Sequence, residues 1–327
     1  MALKRGALVA AAHWPVVLIQ AAADALFKVL IAFPRIGGVI LASLVVGADV
    51  NERATDWRAL AADVVSTLLD HGAVAVAFLL ALGVVVAGGS LFVFLVKGGT
   101  MGVLVRGDRD AGPLEEEPIQ GHTLARASSF SIELFVASAG TLFRRYARLG
   151  FMLMTVYLLS GAAFVASLLW WGPAGERWGY TSIVTLAFVV WVTVVNLLYL
   201  LVQIVVAAED CGVSAAVRRV MLFLRQERRI VGSVFVMVLA MVLLATAASV
   251  VAFTALGLIL VIPFMWLAAI PLQLIAFLLR ALVFQYIDLA SIAAYLKLYR
   301  EHSRGFAAEG TPAPVAAWTP PADVPHA

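Results

Sequence analysis

The adjacent carboxylates Glu209 and Asp210 form the most distinctive acidic pair in this sequence. They stand where a long apolar segment ends, directly before a helix start near Ser214. Two carboxylates can act as general acid and base, but the reacting proton must lie within about 3 Å of them. A histidine or metal would be expected nearby, and none of the five histidines is close in sequence. Because negative charge is favoured at a helix N-terminus, we predict a structural pair; a lipid-modifying enzyme that uses these acids remains a third hypothesis.

Of the polar residues inside apolar segments, three are candidates, because such groups are costly there and often mark function. Asn196 and Gln203 are seven residues apart on one helix face, so they could line a polar path or join helices by hydrogen bonds. We favour the helix-joining role. Arg280 is predicted to lie only about 6 Å along its helix from the inner membrane edge. At that depth its side chain can snorkel into the headgroups.

A glycine-rich run, residues 98–102, follows the second apolar segment. Its glycines could expose backbone amides to a phosphate. The run lacks the following Lys-Ser/Thr pair that completes a nucleotide-binding P-loop. We therefore predict a helix break or a tight re-entry at Gly98–Gly102.

The elements that position these residues follow from the composition. Apolar residues make up 63% of the 327-residue chain and charged residues 13%, with a mean hydropathy of +1.00. A soluble domain averages about 45–50% apolar and about 25% charged, so a soluble fold is excluded. Disorder is excluded as well, because it requires low hydrophobicity and high charge. The predicted class is all-α: a polytopic membrane helical bundle with about six transmembrane helices and two or three interfacial amphipathic helices.

Six segments are long enough to span a membrane, since about 20 apolar residues cross about 30 Å of hydrocarbon. Pro34 interrupts the first, and Pro263 and Pro271 predict a kink in the last. Together they predict a six-span membrane domain over 1–304, followed by an Ala- and Pro-rich cytoplasmic tail over 305–327. The spans are residues 29–48, 73–96, 149–171, 181–207, 230–254 and 258–287.

The basic residues indicate the orientation of these spans. Seventeen of the 23 lysines and arginines lie in segments on the side of the N-terminus, and three lie on the opposite side. Because positive charge is enriched in cytoplasmic segments, both termini are predicted to be cytoplasmic. We expect a multi-pass protein of the bacterial cytoplasmic (inner) membrane.

Two inner segments combine arginine clusters with an apolar helix face. In 213–229, Val217, Val220, Met221 and Leu224 recur at helical spacing, and residues 128–148 behave similarly. Such helices lie in the membrane interface with their basic side toward anionic headgroups. The predicted headgroup contacts are Arg144, Arg145, Arg148, Arg218, Arg219, Arg225, Arg228 and Arg229.

A third amphipathic helix is predicted over 7–28, where Asp24 and Lys28 are spaced for an ion pair. The sequence then consists of three similar units, each an amphipathic helix followed by two spans. This layout suggests an internal repeat. The alternative is that positive-inside anchoring alone places arginines before each inbound span.

The sequence from Leu201 to Val220 resembles a pattern found in a known family of membrane domains. An apolar segment ends in an acidic residue, followed by Gly212-Val213 and an Ala-x-x-Arg helix with a basic end; the sequence Tyr-Leu-Lys-Leu-Tyr-Arg at 295–300 also fits the pattern. In these motifs and in layout, the chain resembles the six-span membrane domain attached to some bacterial glycerophosphodiester phosphodiesterases and related bacterial membrane proteins. The resemblance implies a membrane module. The activity of such enzymes resides in a separate barrel domain, which takes about 250 residues, so no catalytic residue is carried over to this chain.

We therefore expect a non-enzymatic integral membrane protein, a structural or accessory module that contacts anionic lipids. Its expected partners are the lipid bilayer and either another membrane protein or a second copy of the chain. No catalytic residue, cofactor, metal or nucleic acid is expected. The alternative is a small transporter or permease with a midplane polar site, suggested by the prolines within spans, by Asn196 and Gln203, and by the internal repeat. A dry bundle with Asn196 and Gln203 buried in helix contacts would argue against the transporter.

Overall fold

The structure is a computed structural model that describes residues 2–46, 72–112, 128, 130–171, 178–259 and 266–308. Within these ranges the chain forms seven helices and no strand, which confirms the all-α prediction. The helices are α1 (Ala2–Ala12), α2 (Trp14–Val46), α3 (Gly72–Asp110), α4 (Ile132–Trp171), α5 (Trp178–Glu209), α6 (Val213–Ile259) and α7 (Trp266–Ala308).

Each helix from α2 to α7 contains a stretch long and apolar enough to cross a membrane, which confirms the prediction of six spans. The helices are longer than the apolar segments that predicted them. α3 has 39 residues and α6 has 47, whereas a crossing needs about 20. In α6 the additional turns come from the amphipathic segment 213–229, and in α3 they come from the glycine-rich run and the residues that follow it to Asp110.

The amphipathic residues of 128–148 and 213–229 thus form the opening turns of α4 and α6. α6 changes direction at Glu227, whose φ of −108° and ψ of 25° are not helical. Pro34 and Pro271 lie inside α2 and α7, while Pro263 lies outside the described residues. α7 continues to Ala308, so the first four residues of the predicted tail are helical and the rest fall outside the described part.

The helix break predicted at Gly98–Gly102 is wrong, because α3 is helical through this run. The glycines instead let α4 approach closely. A Cβ on Gly99 would lie 2.7 Å from the ring of Phe135, and one on Gly102 would overlap the side chain of Ser138. Packing against α4 therefore outweighs the low helix propensity of glycine at these positions.

The chain divides into two compact units, which are described separately. The smaller unit is Ala21–Phe94. In it, Asp24 and Lys28 form the predicted ion pair at 2.6 Å. Gly89 faces the ring of Phe27, where an added Cβ would come within 2.5 Å of a ring carbon. A larger residue at position 89 would therefore push this ring away.

The larger unit comprises Met1–Gln20 and Leu95–Ala327, and its core lies at one end of its long helices. Side chains are buried from Val96 onward in α3 and from Ile287 onward in α7. Beyond these ends the apolar side chains are exposed, as at Leu244 of α6, which is 71% exposed. We name the buried region the packed bundle, and it comprises residues 2–17, 96–112, 132–149, 195–209, 213–234 and 287–304.

Each helix of the packed bundle contributes to one core. The bundle lies at the helix ends that the distribution of basic residues predicts to be cytoplasmic. Tight packing is therefore concentrated at one end of the spans, and the exposed apolar surface lies beyond it. The core includes the fully buried side chains of Val9, Leu104, Tyr146, Ile204, Phe223 and Tyr295.

α1 packs antiparallel against α7. Gly6 faces Ala290 and Ala294, and Tyr286 Oη donates a hydrogen bond of 3.0 Å to the Ala7 carbonyl. A Cβ on Gly6 would overlap the Ala290 carbonyl oxygen, which is backbone and cannot rotate away. Glycine at this position therefore allows the close approach of the two helices.

The apolar faces of the opening turns of α4 and α6 turn into the packed bundle. On α6 the buried face is Ala216, Val220 and Phe223, so it is rotated from the predicted face: Val220 is 1% exposed but Met221 is 45% exposed. On α4, Phe135, Leu142 and Tyr146 of the predicted apolar face are buried, whereas its Ile132 and Val136 are exposed. These faces contact protein, and the arginines lie on or beside the remaining helix surface.

Candidate functional site in the packed bundle

Asp108 on α3 is a buried carboxylate, 4% exposed, held between two arginines. Arg5 Nε of α1 donates to Asp108 Oδ1 at 2.7 Å, and Arg300 of α7 binds Oδ2. A buried carboxylate needs such compensation, because removal from water is costly. We name these three residues the Asp108 clamp; it joins α1, α3 and α7.

The same arginines also bind the end of α3 through its backbone. Arg5 Nη2 donates to the Asp108 carbonyl at 2.9 Å and Arg5 Nη1 to the Gly112 carbonyl at 2.7 Å. Arg300 Nη2 donates to the Val105 carbonyl at 2.8 Å. The last carbonyls of a helix have no partner within it, and arginines can satisfy them. Gly112 adopts a φ of +61°, a left-handed conformation that glycine accepts without strain.

Glu209 and Asp210 do not act on a common partner. Glu209 binds Arg219 of α6 and accepts a hydrogen bond from Tyr299 Oη of α7, whereas Asp210 pairs with Arg145 of α4. The two acids therefore tie the end of α5 to three different helices. Among the described residues, no group of three or more histidine, cysteine or acidic side chains is placed to hold a metal ion.

The eight predicted headgroup arginines fall into two groups. Arg145 and Arg219 are half-buried and paired with the acids at the end of α5. The other six are exposed on α4 and α6, so only they point away from the protein. These exposed arginines are Arg144, Arg148, Arg218, Arg225, Arg228 and Arg229.

The predicted intramembrane residues have three different environments. Asn196 is exposed and accepts a hydrogen bond from Tyr157 Oη, which joins α5 to α4. The Gln203 side chain is buried. Burial of both Asn196 and Gln203 would argue against a transporter, and only Gln203 is buried. Arg280 is exposed, and its guanidinium carbon lies 5.9 Å and 5.5 Å from the ring centroids of Phe253 and Phe284, a cation–π arrangement.

Two polar cavities open near the acid–arginine contacts. One of about 240 Å³ lies between α3, α4 and α5, with Arg106, Arg109 and Asp210 beside the hydroxyls of Ser138 and Thr141. The other, of about 330 Å³, lies between α1, α3 and α7. We name it the basic cavity, and it is lined by Arg5, Asp108, Arg109, Gly112, Lys297, Arg300, Glu301 and Arg304.

Sequence reasoning missed both the Asp108 clamp and the basic cavity. Arg5 is 103 residues from Asp108, and Arg300 is 192 residues from it. No spacing rule connects residues at such separations. Arg5 and Asp108 appeared in the sequence only as charges on the side predicted to be cytoplasmic, and Arg300 only as the last residue of the 295–300 motif.

Comparisons with protein-family models, with curated proteins and with solved structures give no match.

Proposed function

We propose that this chain is a non-enzymatic integral membrane protein of a bacterial inner membrane, a structural or accessory module that binds anionic lipid headgroups. The observation that carries the proposal is the outward presentation of the six exposed arginines of α4 and α6. Their helices are fixed by apolar faces buried in the packed bundle, such as Tyr146 and Phe223. The guanidinium groups therefore extend from a rigid support.

The position of these arginines along the helices suits a headgroup layer. Arg148 precedes Phe151, an exposed apolar residue of α4, by three residues, or about 4.5 Å. Arg229 directly precedes Ile230, an exposed apolar residue of α6. Basic side chains near an anionic membrane surface contribute about 1 kcal/mol each to binding.

The acid–arginine contacts support a structural role. Asp108, Glu209 and Asp210 each bind at least one arginine that joins two helices. A carboxylate used in this way stabilises a fold, whereas a general acid or base must be available to a substrate proton. The resemblance to the membrane domain of certain phosphodiesterases, whose activity lies in another domain, supports the same proposal.

Lipid selectivity tests the proposal directly. The full chain would be reconstituted in nanodiscs that contain zwitterionic and anionic phospholipid, and the lipids retained after transfer to detergent would be counted by native mass spectrometry. We expect anionic lipid to be enriched. A variant with Arg144, Arg148, Arg228 and Arg229 changed to glutamine should lose this enrichment, because the exposed positive charge is removed.

The matched control changes the same four arginines to lysine, which keeps the charge and should keep most of the enrichment. Purification from native membranes with mild detergent tests the accessory role, since a protein partner or second copy should then co-purify at fixed stoichiometry. Retention of neither anionic lipid nor any protein would contradict the proposal. Substrate-dependent flux into proteoliposomes would favour the transporter instead.

A further inference from the structure

The lining of the basic cavity carries an excess of positive charge, and none of the exposed arginines of α4 and α6 belongs to this lining. Its lining contains five cationic side chains and two acidic ones, Asp108 and Glu301. A cavity lined by one sign of charge concentrates ions of the opposite sign. The cationic residues are Arg5, Arg109, Lys297, Arg300 and Arg304.

Among the described residues of the lining, the acids are fewer than the cations. Asp108 is already shared by two arginines in the Asp108 clamp. Glu301 is 3.6 Å from Lys297, and its side chain is 56% exposed whereas that of Lys297 is 11% exposed, so this acid lies at the open edge of the cavity. Arg109 Nη2 donates to the Ala208 carbonyl at 3.1 Å, which is a neutral acceptor.

Part of the cavity wall is rigid. Arg5 and Arg300 are held in fixed positions by their bonds to Asp108 and to α3 carbonyls. The close approach of α1 and α7 at Gly6 fixes the distance between two of the three walls. An anion that enters would order few additional side chains, and binding to a preorganised site is less costly.

We infer that the basic cavity binds a phosphate-bearing anion, with Arg109, Lys297 and Arg304 as its contacts and the Asp108 clamp as its fixed wall. Guanidinium and ammonium groups form strong charge-assisted hydrogen bonds to phosphate oxygens. A volume of about 330 Å³ is at the small end of ligand-binding cavities, which range over about 300–1,000 Å³. A small phosphate ester or pyrophosphate group fits this chemistry.

The basic cavity is separate from the exposed arginines of α4 and α6, because none of them lines it. This site therefore differs in position from the headgroup contacts of the proposed function. Both a water-soluble phosphate and the phosphate of a lipid headgroup have the chemistry that its cations recognise, and the experiment distinguishes the two sources.

The test uses the full chain in nanodiscs of zwitterionic lipid, titrated with inorganic pyrophosphate by calorimetry. We expect saturable binding at one site per chain. The double variant Lys297→Gln/Arg304→Gln should weaken binding at least ten-fold. The control Arg225→Gln/Arg228→Gln removes the same charge from α6 and should bind as the wild type does.

A gain-of-function variant separates binding from folding. Glu301→Gln removes an acid from the cavity and should tighten pyrophosphate binding several-fold, an effect that misfolding cannot produce. A parallel sample in nanodiscs that contain phosphatidic acid is analysed by native mass spectrometry. Retention of this lipid by the wild type and its loss in Lys297→Gln/Arg304→Gln, without pyrophosphate binding, would support the phosphate site but assign it to a headgroup. Absence of binding to either probe, or equal losses in the cavity and control variants, would overturn the inference.

Discussion

Arg5 Nε and Asp108 Oδ1 are 2.7 Å apart, although 103 residues separate them in the sequence. Both side chains are nearly inaccessible to water. The bond connects the beginning of the described chain to the end of α3, and Arg300 adds α7 to the same carboxylate. One acid thus holds together three helices of the packed bundle.

Replacement of Asp108 by asparagine should strongly destabilise the protein. The change removes the carboxylate that Arg5 and Arg300 share, and loss of one member of a buried ion pair costs about 3–5 kcal/mol. The measurement is the apparent unfolding midpoint in detergent. Asp110→Asn is the control, because Asp110 lies on the same helix, is exposed and is 3.7 Å from Arg106. Equal shifts for the two variants would contradict the importance of the clamp.

Gly6→Ala should loosen the contact between α1 and α7. The new methyl group would overlap the Ala290 carbonyl oxygen, and insertion of a methyl group into a tight contact typically costs about 1–3 kcal/mol. Gly140→Ala in α4 is the control, since nothing lies within 4 Å of its added Cβ. That control should gain up to about 1 kcal/mol from the better helix propensity of alanine. Thermal unfolding of both variants distinguishes the two effects. An unchanged unfolding midpoint for Gly6→Ala would refute the predicted loosening of the α1–α7 contact.

His13 should make stability depend on pH. Burial lowers the pKa of the His13 imidazole below its ordinary value of 6.5, and the hydrogen bond with the Val9 carbonyl opposes this shift only in part. The unfolded chain therefore binds a proton at a pH where the folded chain does not. This contribution to stability is complete above pH 6.5 and is lost as the pH falls below it.

The unfolding midpoint should accordingly fall more steeply between about pH 7 and pH 5.5 in the wild type than in His13→Gln, which cannot titrate. The comparison is between the two pH dependences, so a uniform loss of stability in the variant does not affect it. Parallel curves would show that His13 does not contribute.

The predicted orientation can be tested with single cysteines. Cys211 is the only native cysteine, so Cys211→Ala provides a thiol-free background. Ser214→Cys and Gly72→Cys would then place exposed thiols at the start of α6 and of α3. In intact cells, a membrane-impermeant maleimide should label the thiol at position 72 and leave the one at 214 unmodified until the membrane is disrupted. The reverse pattern would contradict cytoplasmic termini.

The spans could be predicted from sequence because they depend on local composition. Apolar runs of sufficient length predict helices in a membrane, since unpaired backbone groups are too costly there. Asp24 and Lys28 could be paired for a similar reason, because the helix itself places them side by side. Features that a single helix determines could therefore be predicted from the sequence.

Features that depend on a second helix could not be predicted from the sequence. The glycines at 98–102 have low helix propensity in isolation, and only the position of Phe135 and Ser138 shows that they permit close packing. The buried face of α6 differs from the predicted one because Val220 and Met221 are both apolar and adjacent in sequence. Only contact with the other helices buries Val220 and leaves Met221 exposed. The partners of Asp108 lie about one hundred and two hundred residues away.

The antiparallel packing of α1 on α7 has a consequence for synthesis of the protein in the cell. Contacts such as Gly6 with Ala290 cannot form until the ribosome has produced α7. While the helices between them are being synthesised, α1 lacks its partner and the intervening spans enter the membrane one after another. Contacts of this sequence separation also form slowly, because a long loop must close first. The nascent chain would therefore be vulnerable to proteolysis until α7 emerges, and the packed bundle of the described residues closes only when α1 and α7 meet.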